Sequence, residues 1–243
     1  MTISAKPALD PYPLSCYVAW AGNRNRDAIL EVFKQKFPQK GNVLELASGS
    51  GMHIHHFAPH FQNLNFQPSD FDQGVFENIQ SLTQQTNAKN VEPPINLDLT
   101  QPSTWLSLNN KKFDVIFCIN LFQVAPISIA DEVANCAAHH LRERGYLYIY
   151  GPFKVNGKNT TPSNEEFDKT LLSSGVPEWG LKDVTDINNA AYEYNLELKE
   201  KLICQQIILF LFMDLDKVSI IFETHSWNLA TRVQLRRLEW ASS

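Results

Sequence analysis

Two glycines and a carboxylate in the first third of the chain have the types and the spacing of a nucleotide-binding site. Residues 43–47 form a short apolar run, and a Ser/Gly turn follows at residues 48–51. Glycines directly after a buried strand let the backbone turn sharply and approach a ligand closely. Asp70 stands nineteen residues after Gly51, at the end of the next predicted strand, where it can accept hydrogen bonds from both ribose hydroxyls. The glycines alone would be an ordinary turn, but with the carboxylate they predict a bound nucleoside.

The residues around the turn indicate which nucleoside it is. A dinucleotide fingerprint needs a third glycine three residues after the second, and Ile54 stands there. No Lys-Ser or Lys-Thr pair follows the turn, as a triphosphate would require. Glu45 precedes the turn, and its charge would repel a phosphate and attract a cation such as an amino acid ammonium. A ribose, an adenine and a positively charged amino acid tail together predict S-adenosylmethionine as the cofactor.

Alternating strand and helix patterns must position these residues. Strands are predicted around residues 42–47, 64–67, 95–97, 113–119, 146–150, 196–202 and 206–213, and helices over residues 25–37, 52–60, 75–82, 129–141 and 183–194. Such alternation predicts an α/β fold, a doubly wound and mostly parallel sheet with helices on both faces. We divide the chain into an N-terminal arm (1–22), an S-adenosylmethionine-binding domain (23–213) and an atypical C-terminal tail (214–243).

Composition restricts the remaining possibilities. The chain has 243 residues, 44% of them hydrophobic and 19% charged, which is typical of one globular domain with additions. Its net charge of −5 and the lack of a long basic cluster argue against an extended nucleic-acid surface. Four widely spaced cysteines indicate free thiols. The longest uncharged apolar stretch, residues 202–213, is too short to cross a membrane, so we expect a cytoplasmic location. The oligomeric state stays open.

The sequence resembles the class I methyltransferases and, within them, the methyltransferase-like protein 26 family. The resemblance covers residues 23–202. Its carriers are Asn25-Arg26-Asp27, Leu44-Glu45-Leu46-Ala47-Ser48-Gly49-Ser50-Gly51, Gln67-Pro68-Ser69-Asp70, Leu97-Asp98, Asn120, Ala125-Pro126, Tyr150-Gly151-Pro152-Phe153, Ser163-Asn164, Phe167-Asp168 and Trp179-Gly180. This resemblance implies a Rossmann-like, seven-stranded sheet of order 3-2-1-4-5-7-6, with the cofactor over the carboxyl ends of strands one, two and four.

The resemblance also implies roles for individual residues. The cofactor contacts carried over are Glu45, Ala47, Ser48, Gly49, Gly51, Asp70, Asp98 and Asn120. Among them, Asp70 binds the ribose and Asp98 lies near the adenine amine. Asn120 faces the reacting methyl group and, with Tyr150 at the end of strand five, forms the expected catalytic pair. No metal site is expected.

Two positions depart from the pattern. Ala47 replaces the first glycine of the general superfamily motif, although this family commonly has alanine there. Gln123 stands where the family usually has a histidine, so the most plausible base is missing. We therefore expect a methyltransferase that acts on an unidentified small-molecule acceptor, with a non-catalytic, cofactor-binding sensor or scaffold as the alternative. A nicotinamide-dependent oxidoreductase is a distant third reading.

Some residues allow two interpretations. His53, His56 and His60 share a helical face and could bind a metal, but such a face is more often solvated. Asp168 could be a general base, although an aspartate on a helix face is usually just solvated. Three aromatic residues could line an acceptor pocket or serve as packing anchors, namely Phe153, Phe167 and Trp179.

The C-terminal part lacks the Met-Pro-Ala-Asn-Asn segment that usually leads into the last strand of the family. One codon choice for residues 203–210 encodes that motif in another reading frame. Our hypothesis is a frame-shifted tail from about residue 203, with a lineage-specific extension as the alternative. The C-terminal edge of the sheet would then be aberrant, although the apolar run 207–212 could still pair at that edge.

Overall fold

The computed structural model describes residues 6–204 and 208–215. The helices are α1 (Cys16–Lys36), α2 (Met52–Phe57), α3 (Phe76–Thr86), α4 (Ile129–His140), α5 (Pro162–Leu172) and α6 (Val184–Glu193). The strands are β1 (Gly41–Leu46), β2 (Leu64–Asp70), β3 (Ile95–Asn96), β4 (Phe113–Ile119), β5 (Leu141–Gly151), β6 (Lys154–Val155), β7 (Lys158–Asn159), β8 (Leu196–Cys204) and β9 (Ile208–Leu215). Within these described ranges, no helix has the length and apolarity needed to cross a membrane.

The sheet confirms the predicted α/β class. Its order is β3-β2-β1-β4-β5-β9-β8, and β6 and β7 form a separate hairpin. The uninterrupted parallel part has five strands rather than seven, because β9 pairs antiparallel with both β5 and β8. If the hairpin strands β6 and β7 are left out of the numbering, β8 and β9 become the sixth and seventh strands, and the order is 3-2-1-4-5-7-6. The tail from residue 216 onward, and with it most of the frame-shift hypothesis, lies outside the described residues.

Two apolar clusters cover the two faces of the sheet. One cluster packs α1 and α2 on the sheet through residues such as Phe33, Phe57 and Phe117. The other packs α4 and α6 on the opposite face through residues such as Val133 and Ile187. Because both faces are covered, the central strands are rich in buried apolar residues, as is usual for a parallel sheet. The carboxyl ends of the strands remain as the edge where polar groups can converge.

Helix α1 begins nine residues earlier than the pattern predicted. The Ser15 side chain accepts a hydrogen bond from the Val18 amide at 3.1 Å and caps the helix at Cys16. Our prediction of a start at residue 25 followed the apolar periodicity, which is clear only around Ile29 and Phe33. Residues 16–22, which our division of the chain places in the N-terminal arm, therefore belong to α1, and the division itself stays a prediction.

Candidate functional site

The turn after β1 has a backbone that few sequences tolerate. Ala47, Gly49 and Gly51 all have positive φ angles, of 53°, 53° and 75°. The Gly51 amide donates to the Ser48 carbonyl at 2.9 Å, which closes the turn, and α2 starts directly after Gly51. A left-handed conformation is free of steric penalty only for glycine. The sequence-predicted turn is therefore present, and two of its three left-handed positions are glycine.

Ala47 holds the third left-handed position with a side chain. A β-carbon in this region approaches the following carbonyl and costs about 1 kcal/mol. The strain persists because the neighbouring residue is held from both sides. The Ser48 amide donates to the Ser69 carbonyl at 2.9 Å, and the Ser69 amide donates to the Ser48 hydroxyl at 3.1 Å. These bonds join the end of β1 to the end of β2.

Asp70 reaches from the end of β2 into the glycine turn. Its Oδ2 accepts a hydrogen bond from the Gly49 amide at 2.8 Å, and its Oδ1 accepts one from the Asp72 amide at 2.9 Å. Burial raises the pKa of this carboxyl, and the amide hydrogen bonds oppose that shift. Each carboxylate oxygen has two lone pairs, so Asp70 keeps acceptor capacity for a ligand.

Glu45 is the most deeply buried acid of the site. Its side chain is at the end of β1, the residue is 2% exposed, and its Oε2 has no hydrogen-bond partner among the described residues. Burial raises the pKa of Glu45 to about 8; the neighbouring Asp70 adds to the rise, and a hydrogen bond with Ser48 opposes it. A buried carboxyl with an open acceptor position is suited to a cationic partner.

The Asp98 side chain accepts three hydrogen bonds from its own loop. Its Oδ1 accepts from the Thr100 amide and hydroxyl at 2.9 and 2.7 Å, and its Oδ2 accepts from Gln101 Nε2 at 2.9 Å. The Asp98 backbone also bonds with Thr104, so the residue stabilises the turn after β3. It lies at the same sheet edge as Asp70, because Asp70 and Asn96 are paired in the β2–β3 register.

Phe71 is a site residue that the sequence analysis missed. Its ring follows Asp70 directly and is 70% exposed, and the Phe71 carbonyl accepts a hydrogen bond from Asn96 Nδ2 at 3.0 Å. A large exposed aromatic ring beside the carboxylate of Asp70 is suited to cover a planar base. Its position immediately after the predicted carboxylate was the available signal.

Asn120 and Tyr150 meet where β4 and β5 end. The Asn120 amide donates to the Tyr150 carbonyl at 2.8 Å, and Asn120 has a positive φ of 56°. The structure places the Tyr150 ring in the core cluster under α1, with the residue only 1% exposed. The contact between these residues is therefore through the backbone, and Asn120 is the one with a side chain at the edge of the sheet.

The segment between β5 and α6, residues 152–183, is anchored by Asp168. Its Oδ2 lies 2.7 Å from Lys154 Nζ, and its Oδ1 accepts from the Leu181 amide at 2.8 Å. Burial alone would raise the pKa of Asp168, but these hydrogen bonds outweigh it and lower the pKa. Our expectation of a solvated aspartate was wrong, because the residue is buried and paired within the segment.

Only one of the three aromatic residues of this segment has a plain packing role. Phe153 is fully buried and packs edge-on against Phe122, with ring centroids 5.9 Å apart. Phe167 is half-buried and stacks on Tyr17 of α1 at 6.4 Å. Trp179 is also half-buried. The stacked pair brings the first turn of α1 into contact with α5. These are the two helices that could enclose an acceptor.

The histidines of α2 bond to α1. Asn25 Oδ1 lies 2.8 Å from His53 Nε2, and Asp27 Oδ1 lies 2.8 Å from His56 Nε2. Burial lowers the pKa of His53 to about 3, with further lowering by His56 and Arg26. Neutral histidines with carboxamide or carboxylate partners hold two helices together. Within the part of the chain that the structure describes, no group of three or more metal-binding side chains converges.

Comparisons with known proteins add a family and a fold. A family model described as "Protein of unknown function (DUF938)" matches residues 17–204. Similar folds occur in CalO1, a methyltransferase in calicheamicin biosynthesis solved in an SAH-bound form (TM-score 0.67, 11% identity), and in the mitomycin 7-O-methyltransferase MmcR (TM-score 0.69, 11% identity). Human N-acetylserotonin methyltransferase in complex with SAM is a third (TM-score 0.66, 8% identity).

The coverage and identity of these structural matches limit what they show about this chain. Each match covers 82% of this chain, and the shares of the three other chains are 55%, 56% and 53%. This chain thus spans little more than half the length of those proteins. At such low identities the likeness shows the fold alone, which is the Rossmann-like α/β fold of methyltransferases.

Proposed function

Since the chain belongs to the family of proteins of unknown function DUF938, we propose a function from its site: S-adenosylmethionine-dependent methyl transfer to a small-molecule acceptor. One observation carries the proposal. The buried carboxylates Glu45 and Asp70 stand at the ends of neighbouring strands, on either side of a left-handed turn at Gly49. A ribose with a cationic amino acid tail needs such a combination of acceptors and open backbone.

The residues present fit this cofactor. Glu45 Oε2 is buried without a partner among the described residues, and an ammonium group would satisfy it. A β-carbon on Gly49 would lie 3.4 Å from Pro13 of the arm, so the absence of a side chain keeps the space between arm and turn open. We assign the amino acid tail to Glu45 and the turn 47–51, the ribose to Asp70, and the adenine to Phe71 and Asp98.

The main task of the protein in this reaction is to orient the cofactor and the acceptor and to enclose them. When bound, S-adenosylmethionine supplies an electrophilic methyl group on its sulfonium. Asp70 holds the ribose and Glu45 the amino acid tail, and Asn120 borders the place where the methyl group is exposed. Alignment of donor and acceptor, with exclusion of water, is then the main source of rate. The catalytic part predicted for Tyr150 stays a prediction, and its burial favours support of Asn120 through the backbone.

The structural neighbours support the proposal without identifying the acceptor. Their titles describe methyltransferases, two of them with SAH or SAM bound. The narrower resemblance to the methyltransferase-like protein 26 family, the cytoplasmic location and the tail boundary at residue 214 stay predictions.

The non-catalytic sensor is a second candidate because of two observations. Gln123 occupies the position where the family resemblance implies a histidine, and an amide cannot take up a proton. Asp168, which the sequence suggests as a possible base, is held in an ion pair with Lys154. Turnover therefore depends on an acceptor whose nucleophile needs no base from this chain.

Calorimetry with S-adenosylmethionine, S-adenosylhomocysteine and NAD tests the proposal. We expect binding of the first two and none of NAD, because the turn lacks the third glycine of a dinucleotide site. Transfer of labelled methyl groups to a metabolite extract then separates the enzyme from the sensor. Binding of NAD alone, or of none of the three, contradicts the proposal.

A further inference from the structure

Gln123 joins two parts of the site. It lies in the short helical turn Phe122–Val124 and is 7% exposed. Its side-chain Nε2 donates to the Asn120 carbonyl at 2.7 Å, and its backbone carbonyl accepts from the Gly180 amide at 3.0 Å. One buried residue thus connects the turn after β4 with the end of the segment 152–183.

The orientation of the Gln123 amide follows from chemistry. A carbonyl oxygen can only accept, so the nitrogen of Gln123 must face Asn120. Its Oε1 then points towards Gly151, 3.6 Å from where a β-carbon on that glycine would lie, and has no partner among the described residues. The donation to Asn120 is therefore the hydrogen bond through which this side chain acts on the described structure.

Asn120 needs support in its conformation. Its φ of 56° is left-handed, which asparagine tolerates better than most residues but which still costs energy. The Tyr150 carbonyl holds its amide, and Gln123 holds its carbonyl. With both backbone groups bonded, the direction of the Asn120 side chain is set from two sides.

We propose that Gln123 is the positioning residue of this site: it fixes Asn120 and couples it to the segment 152–183. The proposal rests on the function proposed above, in which Asn120 borders the methyl group. Gln123 does not replace the missing base in this role. It transmits the ordering of the segment around Gly180 to the residue beside the methyl donor.

A double-mutant cycle tests whether Gln123 acts through Asn120. Gln123→Met keeps the length of the side chain and removes its hydrogen bond to the Asn120 carbonyl, while the backbone bond to Gly180 stays, and we expect S-adenosylmethionine to bind about three- to tenfold more weakly. In an Asn120→Ala background the same change is expected to have no further effect on affinity. Equal losses in both backgrounds overturn the proposal.

Gln123→Glu adds a readout that simple loss of packing would not change. A protonated glutamic acid can donate to the Asn120 carbonyl, whereas an ionised one cannot, and burial raises its pKa. We expect the affinity for S-adenosylmethionine to equal that of the unchanged protein at pH 5.5 and to fall about tenfold below it at pH 8.5. An affinity ratio that does not change with pH contradicts a donor role.

Hydrogen exchange measures the coupling without any cofactor. Gln123→Met keeps the backbone carbonyl that binds the Gly180 amide but loosens the turn that carries it, so the variant should raise amide exchange both at residues 118–126 and at residues 176–183. Gln67→Met is the matched control, because Gln67 is also buried and donates to the Pro68 and Pro93 carbonyls at 3.1 and 2.7 Å. It should raise exchange only around residues 66–70 and 90–94.

The two sets of results separate the two proposals. Failure of the unchanged protein to bind S-adenosylmethionine overturns the proposed function. In that case hydrogen exchange still tests whether Gln123 couples Asn120 to the segment 152–183. Unchanged exchange at residues 176–183 in Gln123→Met overturns the coupling, whether or not the cofactor binds.

Discussion

The Gly49 amide nitrogen lies 2.8 Å from Oδ2 of Asp70, so a carboxylate from β2 holds the turn that follows β1. This bond gives Asp70 two tasks, because the same carboxylate stabilises the turn and offers its remaining lone pairs to a ligand. A variant at this position therefore changes both folding and binding.

Asp70→Ala should weaken S-adenosylmethionine binding by about 1–3 kcal/mol and the folded state by about 1–2 kcal/mol, because the Gly49 and Asp72 amides lose their acceptor. Asp70→Asn keeps an acceptor for only one of these two amides, so it should recover part of the stability but not the affinity. Calorimetry and urea unfolding measure the two effects.

Asp114→Ala is the matched control for Asp70. Asp114 also accepts from a backbone amide, that of Asn42 at 2.8 Å, but it lies near the amino ends of β1 and β4. Its loss should lower stability and leave cofactor affinity unchanged. Equal affinities for Asp70→Ala and Asp114→Ala would remove Asp70 from the site.

Glu45 predicts proton release when the cofactor binds. Its pKa of about 8 keeps it largely protonated at pH 7, and contact with an ammonium group favours the ionised form. Calorimetry at pH 7 in two buffers of different ionisation enthalpy should report nearly one proton released per molecule bound. Glu45→Gln should abolish the release, and a buffer-independent enthalpy in the unchanged protein would argue against this role.

The same residue makes the unliganded protein less stable as the pH rises. The folded carboxyl titrates near pH 8 and the unfolded one near its ordinary value, so between about pH 4.5 and 8 the folded state binds more protons. Stability should fall with increasing pH by at most about 1.4 kcal/mol per unit in this window. Thermal unfolding of Glu45→Gln should show a smaller decline and a higher melting temperature at pH 8.

Ala47→Gly should stabilise the protein by about 1 kcal/mol, because it relieves a left-handed alanine. Ala138→Gly makes the same chemical change within α4 and should destabilise by about 1 kcal/mol. Urea unfolding of both variants compares them. A loss of stability in Ala47→Gly would mean that the turn carries no strain at this residue.

Phe71→Ala should lower S-adenosylmethionine affinity by about 1 kcal/mol through lost contact with the adenine, with a stability change within about 0.5 kcal/mol because the ring is exposed. Tyr192→Ala on α6 is the control, since Tyr192 is also an exposed aromatic but lies on another element. Equal affinities of the two variants would exclude Phe71 from the base-binding surface.

Asp168→Asn should destabilise the protein by about 1–3 kcal/mol at pH 7, because Lys154 would lose its ion-pair partner. The pKa of Asp168 is lowered in the folded state, so its contribution is present above about pH 4 and is lost as the pH falls through the folded value. The difference from the unchanged protein should therefore shrink at acid pH in thermal unfolding. A constant difference would assign the loss to packing instead of charge.

Local patterns were enough to predict the parallel part of the sheet and the position of Glu45, Gly49 and Asp70 at one edge of it. Apolar strands that alternate with helices pair into a parallel sheet with right-handed connections. The carboxyl ends of such strands lie at one edge of the sheet. Glu45, Gly49 and Asp70 were predictable because each stands directly at a strand end. The start of α1 at residue 16 was not predicted. Its first turns lack the apolar periodicity, and besides the Ser15 cap they are held by the contact of Tyr17 with Phe167, two residues that are far apart in sequence.

Chain order and residue type therefore account for which groups gather at the edge of the sheet, because periodicity and turn chemistry act over a few residues. Folding alone decides what each group does there. Asp168 becomes an ion-pair anchor and Gln123 a link between Asn120 and Gly180, since their partners come from segments that only tertiary packing brings together. Burial likewise raises the pKa of Glu45, and burial depends on the whole fold, not on its neighbours in the chain.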